Sequence, residues 1–505
     1  MQANHVIYIG KHTIYTILQE TAALSFSVLI LSSQSKQNRW SVFLVVAVGV
    51  FLSTMDSSMI NVALPSIMRS FGTSLPQTEW VVLIYLLTIT ASLLFWGRVA
   101  DQVGLSSIYL SGMFVFSIGS VVCYLSATLF QLIAFRFLQA MGAAMMMATG
   151  PAIIKMVFPL GQLGKALGLV GISTSIGLMT GPVISGLLIH SYSWRAIFLV
   201  TVPVSLFASI AGWLFMRPFS EKTVPEMPSL PFDWAGMILW TGMITMAVLF
   251  STHHAGASVK ILVCEGLICF CFLVLLVKTE QRQQVPLFPL SLFRSHAYAI
   301  AMFCAALSFA VLFVVLILMP FYLDYVLGFS AKQIGFVMMA VPISVFFVSP
   351  LSGFFYDRIG ARFLTTAGLA IAACGLLLLC FLSAESSAFS VAWRLAVLGC
   401  GQALFLSPNS ATVLESVDPR QTGVSSGMLA TARNLGMLLG VSVAGLLFGM
   451  IFSKVSGGLD LRQYSPDQVQ NFMYALKATF TVTAFFSVLG AVLSFLRGDK
   501  PSVQT

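Results

Sequence analysis

Long apolar runs alternate along the chain with short segments that hold most of its charged residues. Breaking the sequence at charges, prolines and polar clusters leaves fourteen runs. Each has about 20 residues or more, the length at which a helix crosses a ~30 Å hydrocarbon core. They lie near residues 41–67, 80–97, 107–127, 129–154, 163–190, 194–216, 232–252, 258–277, 297–323, 333–354, 363–384, 387–411, 421–452 and 472–496. The pattern predicts an all-α, polytopic membrane protein with fourteen spans.

The composition supports a membrane protein and excludes two other kinds of partner. Charged residues make up 9% of the chain, against about 25% in soluble domains, which is too little to coat a globule. The net charge of +9 would also suit nucleic acid, but the basic residues are scattered between apolar runs and form no stripe. The eight cysteines fall mostly within apolar runs and lack metal-ligand spacing, so we interpret them as packing residues. We therefore expect no nucleic acid and no metal.

The distribution of basic residues predicts the orientation in the membrane. With the N-terminus inside, the inner segments hold sixteen of the 26 Lys and Arg residues, and the outer segments hold six. The positive-inside rule then places both termini in the cytoplasm. We expect a multi-pass protein of the cell (inner) membrane. Residues 1–40 are expected to be a cytoplasmic extension, because the apolar stretch 22–31 is too short to cross; a misassigned translation start is the alternative. Residues 498–505 form a cytoplasmic tail.

Several motifs recur at a nearly constant offset, which indicates an internal repeat. Glycine, aspartate and glycine follow the second run as Gly97, Asp101 and Gly104, and follow the tenth run as Gly353, Asp357 and Gly360, an offset of 256. Two further matches have offsets of 258 and 259: Arg136 with Arg394, and Gly177 and Gly181 with Gly436 and Gly440. The repeat predicts two six-helix bundles, 41–217 and 297–497, and a linker, 218–296, that inserts two extra transmembrane helices between them.

The fifth run contains an unusual number of residues that disfavour helices. A glycine costs about 1 kcal/mol and a proline about 3 kcal/mol in a helix interior. Small residues offset that cost where two helices approach closely, and a proline kinks its helix at a defined place. The residues concerned are Gly168, Gly177, Gly181, Pro182 and Gly186. We therefore expect this span to pack closely against a neighbour and to bend at its proline.

These residues resemble the antiporter motif in the fifth span of proton-coupled exporters of the major facilitator superfamily. Residues 52–65 (LSTMDSSMINVALP) are similar to the signature L-D-x-T-I-V-N-V-A-L-P. Residues 136–142 (RFLQAMG) are similar to the proton-coupling motif R-x2-Q-G-x-G, with the glycine two residues later, and residues 194–198 (WRAIF) match the turn into the sixth span. From residue 41 to 496 the chain resembles the fourteen-span drug:proton antiporter family.

The gating loops depart from the family pattern in one half of the protein. The family loop usually has an arginine after its aspartate and a basic residue after its second glycine. In the first half the corresponding positions hold Gln102 and 105–107 (LSS), whereas the second half keeps Arg358 and Arg362. The resemblance assigns a gating role to both loops, and the basic residues favour the second as the working charge latch.

Asp56 and Arg136 are the strongest candidates for proton coupling. A carboxylate deep in a span costs about 2.5–3.5 kcal/mol and therefore usually faces a cavity or a partner. At 1.5 Å per residue, Asp56 lies about 16 Å and Arg136 about 10 Å from the outer ends of their spans, so the long arginine side chain can reach the carboxylate. Two interpretations stay open. The carboxyl group loads and releases a proton as the conformation changes, or the pair is a permanently ionised tie between helices.

By the resemblance, the first and fourth spans line a central cavity that takes the substrate. Gln139 and Ala143 share a helical face with Arg136, Asn61 belongs to the first-span signature, and Arg433 lies in the middle of the thirteenth run. We therefore assign these four residues to the substrate cavity.

The resemblance implies export of small organic, lipophilic or cationic, drug-like compounds in exchange for protons by alternating access. Uptake of a small metabolite by the same fold is the alternative. The expected partners are the substrate, protons and the lipid bilayer; the proton gradient replaces any cofactor. We expect a monomer and leave an accessory envelope protein open.

The sequence lacks the motifs that are typical of other functional classes. Gly164 and Lys165 have Pro159 where a phosphate-binding loop needs its first glycine. The chain contains no H-E-x-x-H, and neither Ser173 nor Ser175 makes a G-x-S-x-G with a histidine at matching depth, so we do not expect an enzyme. No loop is long enough for a signalling domain.

Overall fold

The computed structural model describes residues 39–220, 233–252, 259–283, 288–417 and 422–497. Residues 1–38 of the predicted extension and the predicted tail 498–505 lie outside the described residues. The α-helices are α1 (Arg39–Phe71), α2 (Leu75–Val103), α3 (Leu105–Tyr124), α4 (Leu129–Val157), α5 (Leu160–Ser191), α6 (Ala196–Leu199), α7 (Thr201–Ser220), α8 (Trp234–Thr252), α9 (Val259–Glu280), α10 (His296–Phe321), α11 (Ala331–Met338), α12 (Ala340–Ile359), α13 (Ala361–Leu379), α14 (Ala388–Glu415), α15 (Thr422–Val455) and α16 (Val469–Leu496). The described chain contains no strand.

Twelve helical segments of the described chain are long and apolar enough to cross a membrane. They coincide with twelve of the predicted spans. The other two predicted spans are also helical, as α8 and α9, and α8 includes the shorter apolar helix Trp234–Phe250. These two helices pack against each other, and α8 also contacts α2 and α15. The protein therefore has an all-α, polytopic fold of two six-helix halves with an inserted helical hairpin.

Two predicted spans are interrupted in the structure. The sixth is divided into α6 and α7 at Val200, and the tenth into α11 and α12 at Met339. Each second piece carries a proline in its first turn, Pro203 in α7 and Pro342 in α12. A proline fits a first helical turn because it lacks only an N–H that would be unpaired there, whereas it disfavours a continuous helix before it.

The two halves repeat each other in backbone detail. Gly104 ends α2 and begins α3 with a φ angle of 105°, and Gly360 ends α12 and begins α13 with a φ angle of 84°. Residues with side chains rarely adopt these angles, which explains a glycine at both positions. The contact of α3 with α4 recurs as α13 with α14, and that of α2 with α4 as α12 with α14. The repeat predicted from the loop spacing is thus present in the fold.

Helix α1 ends at the loop 72–74, and the distribution of basic residues predicts that this loop faces away from the cytoplasm. We call that side of the bundle the predicted outer end. The halves meet there through two pairs of helices, because α2 packs against α15 and α5 packs against α11. Gly186 of α5 approaches the backbone of Ala331 closely, and Gly335 of α11 approaches that of Pro182. The halves are therefore closed against each other at this end.

Candidate proton and substrate site

Asp56 of α1 and Arg136 of α4 form an ion pair inside the first half. Arg136 Nη1 donates to Asp56 Oδ2 over 2.6 Å, and the two side chains are 2% or less exposed. Arg136 Nε also donates to the carbonyl of Val81, and the guanidinium lies over the Tyr85 ring, 4.1 Å from its centre. The expected meeting of the two residues at one level of the membrane is confirmed.

Gln139 completes a closed network around the carboxylate. Its Oε1 accepts from Arg136 Nη1 over 2.7 Å, and its Nε2 donates to Asp56 Oδ1 over 2.9 Å and to Ser120 Oγ over 2.9 Å. Both carboxylate oxygens therefore have a donor, which is the arrangement that suits an ionised carboxyl group. The spacing of Gln139 three residues after Arg136 put both on one helical face, a signal that indicated their proximity.

The arrangement can respond to a single proton. When Asp56 binds a proton, the carboxyl group becomes neutral and Arg136 keeps its charge inside the packed bundle. Leaving a buried charge without its partner costs about 3–5 kcal/mol. Arg136 Nη2 has no hydrogen-bond partner in the described part of the chain, so it contributes no alternative pairing. Protonation of Asp56 would therefore favour a different packing of α1 against α4.

The glycine face of α5 packs on the stretch of α1 that carries Asp56. A side chain at Gly181 would collide with Ser58, and its Cβ would lie 2.8 Å from the carbonyl oxygen of Met55. Hydrogen bonds strengthen the contact: Ser58 Oγ donates to the carbonyl of Gly177 over 3.3 Å, and Ser185 Oγ donates to that of Met59 over 2.9 Å. The close approach expected of this helix is present, and its neighbour is the helix of the predicted proton site.

The motif continues from α1 to the other half of the protein. Pro182 and Gly186 lie against α11 at the predicted outer end, as described above. Gly168 also lies in α5, but its contacts are not among those the structure describes. One helix therefore contacts both the Asp56 segment of α1 and the junction between the halves.

The matching glycines of the second half make the equivalent contact without an acidic residue. Gly436 and Gly440 of α15 approach the backbone of α10 at Ala306 and Ala310. The stretch 304–314 of α10 contains no charged residue. The second half therefore repeats the close glycine packing of the first half but has no equivalent of the Asp56–Arg136 ion pair at this contact.

The residues assigned to the substrate cavity do not all lie on an open surface. Gln139 and Ala143 are 0% exposed inside the packing of the first half, because α3 approaches this part of α4 through glycines. Asn61 is also buried, and its Oδ1 has no hydrogen-bond partner in the described residues. Their assignment to a substrate cavity stays a prediction, and it requires a conformation in which these helices separate.

Arg433 of α15 is a half-buried cation without an acidic partner in the described residues. Its Nη2 donates to Ser410 Oγ over 2.6 Å, and the guanidinium lies 5.7 Å from the centre of the Phe309 ring. Its Nε has no hydrogen-bond partner. Arg433 therefore retains unused hydrogen-bonding capacity in the middle of the second half.

The structure shows where most of the glycines and arginines of the two gating loops lie. Gly97 faces open space rather than a close neighbour. Arg358 lies over the Phe354 ring, 4.5 Å from its centre, and Arg362 Nε donates to the carbonyl of Phe495 in α16 over 2.8 Å. Gly353 approaches only Ser407, at 3.6 Å. The side chains of Asp101 and Asp357 are outside the described part of the structure, so the proposed charge latch stays a prediction.

Two functional candidates were missed from the sequence. One is the ion pair between Arg69 and Asp324, two residues that no motif singles out. Glu79 was placed in the loop before the second span, which we predicted from residue 80, whereas α2 begins at Leu75. Its position directly before the apolar stretch 80–97, which contains no other charge, was the available signal.

The family model described as Major Facilitator Superfamily matches residues 46–441. The chain belongs to this superfamily. It is therefore a membrane transporter of small molecules and not an enzyme.

Curated relatives match over most of the chain. The riboflavin transporter RibZ of Clostridioides difficile (strain 630) is 31% identical over 93% of this chain and 100% of its own length. The multidrug resistance protein Stp of Mycobacterium tuberculosis (strain CDC 1551 / Oshkosh) is 31% identical over 85% of this chain and 79% of its own length. The tetracenomycin C resistance and export protein of Streptomyces glaucescens is 28% identical over 81% and 76%.

A solved structure shares the superfamily fold. The bacterial homologue of the human lysosomal transporter Spinster, in an inward-facing and unoccupied conformation, matches with a TM-score of 0.65 and 17% identity. The match covers 91% of this chain and 97% of that one.

Proposed function

We propose that this transporter exports small organic compounds, lipophilic or cationic and drug-like, in exchange for protons by alternating access in the cell membrane. The observation that carries the proposal is the buried Asp56–Arg136–Gln139 network, in which Asp56 belongs to the helix that packs against the glycine face of α5. A carboxylate at this depth is costly unless it has a function or a partner. Because Asp56 is paired with Arg136, the charge state of Asp56 also affects how α1 packs.

The contacts suggest how a proton drives the change of conformation. Asp56 takes a proton from water and its carboxylate becomes a carboxylic acid, which removes the charge opposite Arg136. The resulting shift of α1 is passed to α5 through Ser58 and Gly181, and from Pro182 to α11 of the other half. Loss of the proton on the cytoplasmic side restores the ion pair. Both termini lie in the cytoplasm in this scheme, in keeping with the bias of basic residues.

The relatives support export of drug-like compounds without identifying the substrate. The names of Stp and of the tetracenomycin C protein refer to multidrug resistance and to resistance and export. The antiporter-like motif of the fifth span favours exchange.

Uptake of a small metabolite is the second candidate. The match to RibZ, named a riboflavin transporter, extends over 93% of this chain. Arg433, which has no acidic partner in the described residues, would suit a substrate with an anionic or electron-rich group.

The deciding experiment is transport in inverted membrane vesicles with an imposed proton gradient. We expect the gradient to drive accumulation of dyes from a cationic and lipophilic panel, and the same dyes to dissipate the gradient. Asp56→Asn should abolish both effects, because an amide cannot cycle a proton, while the exposed control Asp467→Asn should leave them intact. Uphill accumulation by Asp56→Asn at the wild-type rate would reject the assignment of Asp56. Movement of substrate out of these vesicles, with the protons, would support uptake.

A further inference from the structure

Glu79 of α2 lies at the junction of the two halves, against Gly445 of α15. The side chain is 1% exposed. A Cβ atom at Gly445 would lie 2.6 Å from the carboxyl carbon of Glu79, so the carboxyl group occupies the space that a side chain at 445 would fill. The contact joins the two halves at the predicted outer end, which is closed in this structure.

The carboxyl group has no ionic partner among the described residues, and its Oε1 accepts no hydrogen bond there. Helix α2 packs against α3, α4, α8 and α15, and it follows α1 in the chain. Three arginines near this end are engaged elsewhere: Arg69 pairs with Asp324, Arg136 pairs with Asp56, and Arg195 donates to the carbonyl of Ser126.

The remaining charged residues of these helices are distant along the sequence. No charged residue lies in α3, in the described part of α8, or in α15 between Arg433 and Lys454. Arg39 and Lys155 lie at the ends of α1 and α4 that are away from the predicted outer end. Arg98 lies 19 residues after Glu79. The nearest described cation along α2 is Arg136, which binds the carbonyl of Val81 and pairs with Asp56 rather than with Glu79.

The protonated form is the one that this environment accommodates. An ionised carboxylate without a donor, buried between helices, costs several kcal/mol relative to the same group in water. Separation of α2 from α15 would admit water to the group, and an accessible glutamate is ionised at neutral pH because its ordinary pKa is about 4.3.

We propose that Glu79 is a second proton-binding site, which gates closure of the predicted outer end. Closure transfers a proton from outer water to the Glu79 carboxylate and forms the O–H bond, and opening returns that proton to the same water. This proton does not cross the membrane, in contrast to the one assigned to Asp56. The inference rests on alternating access from the proposed function, but not on the identity of the substrate or on the direction of transport.

The test measures the outer opening without substrate and without a gradient. Spin labels at Tyr192→Cys and Glu385→Cys, both at exposed positions of the predicted outer end, report the distance between the halves in nanodiscs from pH 5 to 9. The background has the eight native cysteines replaced. If closure binds one proton, the open-to-closed ratio should increase by up to tenfold for each unit by which the pH is raised.

Three variants separate this site from its neighbours. Glu79→Gln, which resembles the neutral acid in shape, should favour the closed outer end and lose the part of the pH response that does not depend on Asp56, whereas Glu79→Asp should retain that part. Asp56→Asn should also retain it. An unchanged pH response in Glu79→Gln overturns the proposal. So does selective loss of cationic substrates with an unchanged response, which would make Glu79 a cation site. Failure of proton-driven transport alongside an intact, Glu79-dependent response would reject only the proposed antiport.

Discussion

Arg69 at the end of α1 and Asp324 in the π-helical turn Tyr322–Val326 form an ion pair that joins the two halves. The Arg69 guanidinium also lies 5.6 Å from the centre of the Tyr325 ring. The arginine side chain is 49% exposed and the aspartate 15%. Exposed ion pairs contribute about 0–1 kcal/mol, so this contact biases the equilibrium between open and closed outer ends without locking it.

Loss of this pair should open the predicted outer end slightly. For Arg69→Gln or Asp324→Asn we expect the open-to-closed ratio to rise by up to about fivefold, the equivalent of 1 kcal/mol. The spin-label distance between positions 192 and 385 measures the change, and Arg462→Gln, at an exposed arginine of the same end, is the matched control. A double variant with the two charges exchanged should restore the wild-type ratio. No change in either single variant would show that the pair has no gating role.

Arg136 should be sensitive even to a conservative replacement. Lysine retains the charge, but it cannot contact Asp56, Gln139 and the carbonyl of Val81 with a planar fork. We expect Arg136→Lys to retain part of the coupled transport. Arg136→Ala should uncouple transport and destabilise the protein by about 3–5 kcal/mol, because it leaves a buried carboxylate unpaired.

Proton-driven uptake into vesicles and thermal unfolding of the purified variants measure these two effects. Arg195→Lys is the control, since Arg195 donates only to a backbone carbonyl and stacks on aromatic rings. Equal coupling in Arg136→Ala and the wild-type protein would contradict the assignment.

A bulky side chain on the glycine face of α5 should cause proton leak. Gly181→Leu would force α5 away from Ser58 and Met55 beside the proton site, so we expect transport to become less tightly coupled. Gly171→Leu is the matched control on the same helix, because Gly171 faces open space. Pro182→Ala should also loosen coupling if the kink seals the path of the proton.

The repeat supplies a second comparison for this helix. Gly440→Leu breaks the equivalent packing in a half that lacks the ion pair, so expression should fall more than coupling. Proton leak in proteoliposomes, at equal protein content, measures the difference. Equal leak from the Gly181 and Gly440 variants would remove the special role of the fifth span and favour the uptake alternative.

The two gating loops should differ in their effect on transport. Asp357 has Arg358 and Arg362 close in sequence, whereas Asp101 has Gln102 and lacks the later basic residues. We expect Asp357→Asn to reduce transport more than Asp101→Asn at equal expression, because it removes the charge from the loop that retains cationic neighbours. The reverse order would identify the loop of the first half as the working latch.

The sequence by itself determined the features that depend on local chemistry. Each span needs only a run of apolar residues, since the membrane core accepts few charges. The turns at Gly104 and Gly360 need only a residue that tolerates a positive φ angle. The repeat offsets preserve both features, so the two halves and the inserted hairpin were predictable. Asp56, Arg136 and Gln139 were also recognisable, because two of them share a helical face and the depth of the third matched.

Only the tertiary structure decided which distant residues meet. Glu79 lies beside Gly445, and Arg69 beside Asp324, because one half packs against the other in a particular conformation. A sequence pattern carries no register between helices that are hundreds of residues apart. Side-chain exposure has the same origin: Gln139 and Ala143 share a small and polar helix face that suits a cavity wall or a close helix contact, and only the tertiary structure shows that neighbouring helices cover it in this conformation.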